Sequence, residues 1–342
     1  MPELFIGSNG LSLWSSRDLG QTLERLSTGA GMYSGSQVWA LSAHPLNERD
    51  LFIGTDTGIY VLDRKTRKCR HVPSPMDEML VTCLRHSHED SQTVYAGAQP
   101  GALFKSTDGG AHWVKLDIPI EPYITAGFPE WDMHASDPSG IEVRHWTRVT
   151  DILVDPRGSD QVLAGVEING AWRSADAGAT WQPASSGLAS QDIHGFCFLK
   201  DVQGSGGSVF ATTNRGLHVS SDFGSSWSLQ KIDSPWQYCR AVVPRQDGTG
   251  VMFLTNGDGP PGSTGFLFRS TDRGATWQRR PLPTQIDSSV YWAAVHPSNA
   301  ALIFVATNLG QLFRSDDGGE TWLALKRRLG EVRTLMWLPD CG

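Results

Sequence analysis

The chain has 342 residues with 29 basic and 36 acidic side chains, a net charge of −7, and no Lys/Arg block beyond Lys326-Arg327-Arg328. That balance excludes nucleic acid and anionic membranes as general partners, because both demand clustered positive charge, and no apolar run approaches the roughly 20 residues that span a bilayer as a helix. The five cysteines (Cys69, Cys83, Cys197, Cys239, Cys341) are odd in number and lack a CxxC pair, so reduced thiols in a cytoplasmic protein are expected.

From residue 3 the chain is a succession of short runs rich in Val, Ile, Phe and Trp, punctuated by Gly, Asn and Asp. It opens on such a run rather than on a charged-then-apolar leader, which again points to the cytoplasm. Residues 4–7, 11–14 and 22–26 read as strands, and the turn before the third carries Ser16-Arg17-Asp18-Leu19-Gly20-Gln21-Thr22. The next unit has a His44-Pro45 loop and a run from Gly58 to Asp63 that keeps an aspartate but loses the Gly and Trp. The phrase then returns in full as Ser106-Thr107-Asp108-Gly109-Gly110-Ala111-His112-Trp113, and again around Asp176, Asp222, Asp272 and Asp317, each time ending on Trp. The later copies are about 46 residues apart, a period that means a propeller or solenoid array. Counting the degenerate copy gives seven units of four antiparallel strands. Residues 3–26 supply only three strands of their unit, and the missing first strand is found at 331–337. The two ends therefore complete one blade and close the ring, which removes the exposed edges of an open array.

The Ser-x-Asp-x-Gly-x-Thr-Trp phrase resembles the Asp-box, or BNR repeat, of sialidase-like propellers, and the resemblance covers nearly the whole chain. It implies an all-β, seven-bladed β-propeller of four-stranded antiparallel blades forming a single domain, 1–342. It also implies that the boxes lie on the hairpins between the outer two strands, so their aspartates are structural: Asp and Ser bond the turn backbone, and Gly takes a positive φ. A sialidase itself is not implied, because the Phe/Tyr-Arg-Ile-Pro motif is missing and the blade count is seven rather than six.

In propellers of this shape ligands usually bind at the face where the first strands begin, a fold-level analogy that residues must support. The longest departure from the period is an insertion at about 119–147, expected to arch over that face as a lid. Its Tyr123, Phe128, Trp131, Asp132, His134, His145 and Trp146 suit a pocket wall better than a bare linker. The enlarged turn from Asn256 to Gly265 falls on the same face. Aligning the units brings two columns together. One holds Gln99 and Glu167, polar residues that the adjoining turns do not need. The other holds Trp39, Thr82, Arg148 with Asp151, His194, Tyr238 with Arg240, Tyr291 with Trp292, and Arg333.

Arg forks match carboxylate or phosphate geometry, and aromatic walls stack on sugars or planar groups. Trp39, Gln99, Trp131, Asp132, His134, Arg148, Tyr238, Arg240, Tyr291, Trp292 and Arg333 are therefore the expected ligand-binding set. Glu167, His194 and Asp151 are the acid–base candidates, since a carboxylate in a partly dry funnel is tuned for proton transfer. No cofactor is expected. A metal held by His134, His145, His194 or Glu167 has no fixed ligand spacing behind it. Because the funnel residues differ from blade to blade, they form one asymmetric site, unlike a lectin that repeats its ligands. The expected function is a hydrolase or lyase acting on an anionic or planar small molecule or glycan. The alternative is a non-catalytic binding or scaffold propeller resembling the photosystem II assembly factor. Oligomeric state leaves no trace in the sequence.

Overall fold

A computed structural model describes residues 2–125, 144–158, 160–204 and 206–341. It consists of seven four-stranded antiparallel sheets arranged as a ring. Blade 1 is Val38–Ala43, Asp50–Thr55, Gly58–Asp63 and Lys68–Val72. Blade 2 is Leu80–His86, Val94–Gln99, Ala102–Ser106 and Val114–Lys115. Blade 3 is Val149–Val154, Val162–Val166, Gly170–Ser174 and Gln182–Pro183. Blade 4 is Ile193–Lys200, Gly207–Thr213, Gly216–Ser220 and Ser228–Gln230. Blade 5 is Tyr238–Pro244, Met252–Gly257, Gly265–Ser270 and Gln278–Arg280. Blade 6 is Val290–Val295, Ile303–Thr307, Leu312–Ser315 and Leu323–Ala324. Blade 7 joins the termini: Val332–Leu338 pairs with Glu3–Ser8, which continues into Leu13–Ser16 and Glu24–Arg25. Among the described residues no helix is long and apolar enough to cross a membrane.

The core lies between blades rather than within any one of them. Trp113, for example, packs with Phe52, Ile59 and Val61 of blade 1 and with Ala96, Ala102 and Phe104 of its own blade. Its indole Nε1 donates to the Gly110 carbonyl at 3.0 Å, so the ring is buried without an orphaned donor. In each complete box the serine hydroxyl accepts from the glycine N–H four residues on, and the aspartate accepts from the backbone N–H four residues further on. At blade 3 these are Gly178 N to Ser174 Oγ at 2.7 Å and Thr180 N to Asp176 Oδ1 at 2.8 Å. The same bonds recur at Asp18, Asp108, Asp222, Asp272 and Asp317.

Inner strands cross their neighbours closely. A Cβ on Gly165 would stand 2.6 Å from Ile193 Cγ2, and one on Gly97 would stand 2.6 Å from Val149. The second strand therefore needs a residue without a side chain where the next blade passes.

Every inner strand also carries a bulge or register shift near its start, between Val38 and Ala40, Val81 and Cys83, Val149 and Asp151, Ile193 and Gly195, Cys239 and Val242, and Val290 and Trp292, or opposite it, between Gly7 and Ser8. A bulge inserts one residue and re-aims its side chain. This one irregularity, repeated around the ring, positions the site.

Candidate functional site at the channel mouth

Two bulge residues are small and close the ring. Thr82 Oγ1 donates to the Val149 carbonyl of the next blade at 2.6 Å, and Thr150 Oγ1 donates to the Ile193 carbonyl at 2.6 Å. The equivalent position in blade 4 is His194, whose Nδ1 donates to the Cys239 carbonyl at 2.6 Å. In the remaining blades the bulge holds Arg240, Tyr291, Arg333 and Trp39, side chains too large for that slot. They turn the mouth into a cavity of about 230 Å³ lined by Arg148, Glu167, Asp192, His194, Tyr238, Pro260, Pro261, Tyr291, Glu331 and Arg333.

The charges in this cavity are held in pairs. Arg148 grips Glu167 with two bonds, Nε to Oε2 at 2.7 Å and Nη2 to Oε1 at 2.9 Å. Arg333 pairs with Glu331, whose other oxygen accepts from Asn9 Nδ2 at 2.6 Å. Both guanidinium groups stack on Trp39, at 4.9 Å for Arg148 and 4.1 Å for Arg333, so the indole spaces two like charges that would otherwise repel. Burial, and the neighbouring guanidiniums of Arg148 and Arg240, push the Arg333 pKa below the usual arginine range, while Tyr291 and Glu331 oppose them.

His194 is 5% exposed and Asp192 is 2% exposed; His194 Nε2 meets Asp192 Oδ2 at 3.1 Å. Both partners of the imidazole are acceptors. With Nδ1 donating to the Cys239 carbonyl, the second bond exists only while one proton is shared between Nε2 and the carboxylate. The other oxygen, Asp192 Oδ1, is buried and has no hydrogen-bond partner among the described residues. Tyr238 packs against His194 with ring centroids 4.6 Å apart and planes tilted by 49°. Burial raises its hydroxyl pKa well above the ordinary value, and Tyr291 adds to the effect.

Arg240 is 6% exposed, stacks on Tyr291 at 4.9 Å and Trp292 at 4.5 Å, and gives Nη1 to the His194 carbonyl at 2.7 Å. Burial works against its charge, but Tyr291, Tyr238, Glu167 and Asp192 outweigh that and raise its pKa.

Of the residues expected from sequence, Arg148, Glu167, His194, Tyr238, Tyr291 and Arg333 line the cavity, and Trp39, Arg240 and Trp292 pack directly against its wall. Asp151 is placed elsewhere. The bulge at Thr150 shifts the alternation by one residue, so the Asp151 carboxylate enters the layer between blades. There it accepts from Arg85 Nη2 and Phe196 N, each at 2.8 Å, and so ties blades 2, 3 and 4. Gln99 ends its strand opposite Leu80 and is not part of the lining.

Tyr123–Thr125 and Arg144–Trp146 pair as a two-stranded ribbon whose base leads into Arg148. Trp146 is 51% exposed and lies 5.8 Å from Tyr123, edge to face. Trp131, Asp132, His134 and Phe128 lie outside the described residues. Among the described residues, no three His, Cys, Asp or Glu side chains converge as a metal site; His145 sits on the ribbon, paired with Ile124, and is not part of the cavity lining.

The enlarged turn expected on this face supplies Pro260 and Pro261 to the lining, whereas sequence reasoning missed Asp192 and Glu331 as site residues. Each stands two residues before a residue expected at the site, His194 and Arg333.

No family model matches the chain. It is 26% identical over 254 residues to a xyloglucanase of a Paenibacillus species, a match covering 65% of this chain and 23% of that protein. It is 30% identical over 125 residues to the photosystem II assembly lipoprotein Ycf48 of a Synechococcus strain, covering 36% of this chain and 35% of the relative. The chain thus spans between about a quarter and a third of the length of these curated relatives. Among solved structures, a GH74 enzyme of Niastella koreensis superposes with a TM-score of 0.64 at 21% identity, covering 85% of this chain and 45% of that one. YCF48 from Cyanidioschyzon merolae gives 0.56 at 14% identity, covering 87% of each chain. Likenesses at this level establish the propeller fold.

Proposed function

We propose that this propeller is a glycan-directed hydrolase with a single asymmetric active site at the mouth of its central channel. One observation carries the reading: a single cavity holds a carboxylate fixed as an ion pair, Glu167 on Arg148, and a second carboxylate in contact with an imidazole, Asp192 on His194 at 3.1 Å. Hydrolysis of a glycosidic bond needs that division of labour between a base and an acid. The Asp192–His194 pair gives its proton to the departing glycosidic oxygen, and Glu167 takes a proton from the water that attacks the anomeric carbon. Trp39 and Arg148 position Glu167 rather than touching the reacting atoms. Tyr238 and Tyr291 offer ring faces to a sugar. The similarity to xyloglucanases supports a glycan as substrate. Five free thiols, three of them buried, fit a reducing compartment and hence the cytoplasm.

A second reading is a binding or scaffold propeller. YCF48 favours it, because that likeness spans most of both chains, whereas the xyloglucanase match covers only a quarter of its relative. Release of reducing ends from xyloglucan and a panel of other glycans separates the two readings. The hydrolase reading expects turnover that falls about 100-fold or more in Glu167→Gln, the scale of a lost general base. Absence of turnover on every glycan, with tight binding of a protein or peptide partner, would sink it.

A further inference from the structure

The cavity and the wall behind it are not electrically neutral: Arg148 and Arg333 line the cavity, and Arg240 stands behind Tyr291. Arg148, Arg240 and Arg333 bring three positive charges; Glu167 and Glu331 bring two negative ones. The hydrogen bond between His194 and Asp192 requires one shared proton, so that pair adds no net charge. Among the described residues one positive charge is left over. It falls to Arg240, which stacks on Tyr291 and Trp292 and has no carboxylate within hydrogen-bonding distance among the described residues. Glu167 and Asp192 favour its charge from a distance, but no carboxylate among the described residues is bonded to it, and a buried cation is best served by a bonded partner.

Unfilled bonding capacity points the same way. Among the described residues, Arg240 Nε and Arg333 Nε are buried donors with no partner, and Asp192 Oδ1 is a buried acceptor with none. Arg333 and Asp192 line the cavity, and Arg240 stands against its Tyr291 wall. Such orphaned groups in a native fold call for an explanation, and a bound molecule that donates at one point and accepts at another supplies one.

We infer that the cavity is a uronate subsite: it takes a sugar ring carrying one carboxylate, whose negative charge offsets Arg240 and whose ring hydroxyl donates to Asp192 Oδ1. This rests on the proposal of a glycan-directed hydrolase and narrows its substrate. A neutral sugar would satisfy Asp192 but leave the charge uncompensated. A lone inorganic anion would do the reverse. Charge-assisted bonds are about twice as strong as neutral ones, so the carboxylate decides between ligands of otherwise equal shape.

The test is a titration of the full chain, followed by NMR, with cellobiose and with cellobiouronate, which differ only by a carboxylate in place of one CH2OH; sodium acetate is the third ligand. The uronate is expected to bind roughly tenfold or more tightly than cellobiose, and acetate more weakly than either. That preference should shrink towards one in Arg240→Met and persist in Arg240→Lys. Should Arg240→Met fail to fold by its melting profile, salt decides: added NaCl should weaken cellobiouronate while leaving cellobiose unchanged. Equal affinity for the two disaccharides, a preference untouched by Arg240→Met, or tightest binding of acetate overturns the inference. If neutral glycans are hydrolysed without any preference for the uronate, the inference falls and the hydrolase reading stands. If no disaccharide binds and no glycan is cleaved, both fall.

Discussion

The outer hairpins and the channel mouth are built by the same seven-fold repeat, yet they use it in opposite ways. At the rim, six boxes make the same bonds with the same residue types, serine to glycine N–H and aspartate to the N–H four residues on. At the mouth, the repeated feature is only a backbone irregularity, and the seven blades fill it with five residue types: Thr82 and Thr150, His194, Arg240 and Arg333, Tyr291 and Trp39. Where every copy agrees, the side chain satisfies its own turn. Where the copies diverge, the backbone still needs only a small donor, as the two threonines show, so the larger groups answer to something other than folding.

This contrast is broken most directly by exchanging damage between the two places. Glu167→Gln keeps the shape of the side chain and removes its charge. It is expected to cost about 100-fold or more in turnover while the melting temperature changes little, because the Glu167 side chain bonds only to Arg148 of its own blade and holds no blade to another. A box substitution such as Asp272→Ala should do the converse, with lower stability and the same turnover per folded molecule. Glycan assays paired with thermal melts decide the matter. If Glu167→Gln lowers the melting temperature as much as the box variant does, the mouth is scaffolding too.

How much was legible in the sequence follows from the same division. The fold was, because a repeated phrase of turn-forming residues dictates its own hydrogen bonds and the strand between two boxes needs little else. The cavity was legible only as far as the repeat supplies a register. Aligning units by their boxes placed Arg148, Glu167, His194, Tyr238, Tyr291 and Arg333 in one ring. It did not place Asp151, because the bulge at Thr150 shifts the alternation by one residue, and a bulge has no letter of its own. Asp192 was not singled out because it precedes the strand that carries His194, and Glu331 was read only as the first residue of the closing strand, not as part of the cavity.

A second expectation concerns acid. His86 and His218 lie within blades 2 and 4, away from the mouth. Burial, with His44 adding to it at His86, lowers both to about 4. Folded molecules therefore bind fewer protons than unfolded ones between about 4 and the ordinary 6.5, so stability falls as the pH drops through that window and levels off below it. The contribution is on the order of 3 kcal/mol for each histidine at the acid end of the window. Melting temperatures measured from pH 7 to pH 4 should decline, and His218→Gln should flatten the slope. A slope unchanged in that variant would place the acid sensitivity elsewhere.

The smallest effect belongs to the boxes one at a time. Asp176 and Asp317 are held down to about 2 by hydrogen bonds from the threonine four residues on, through its hydroxyl and its backbone N–H. Their ordinary value is 3.8, so this stabilisation is complete above about pH 4 and disappears as the pH falls through about 2, below the histidine window. Both carboxylates sit at the solvent-facing rim, where screening keeps each contribution small. Asp317→Asn keeps an acceptor for the Thr321 N–H but cannot change charge, so its melting curve should converge on that of the wild type towards pH 2 and lie about 1–3 °C below it at pH 7. Parallel curves across the whole range would mean that the box acts through turn shape alone, and the rim would then owe none of its stability to charge.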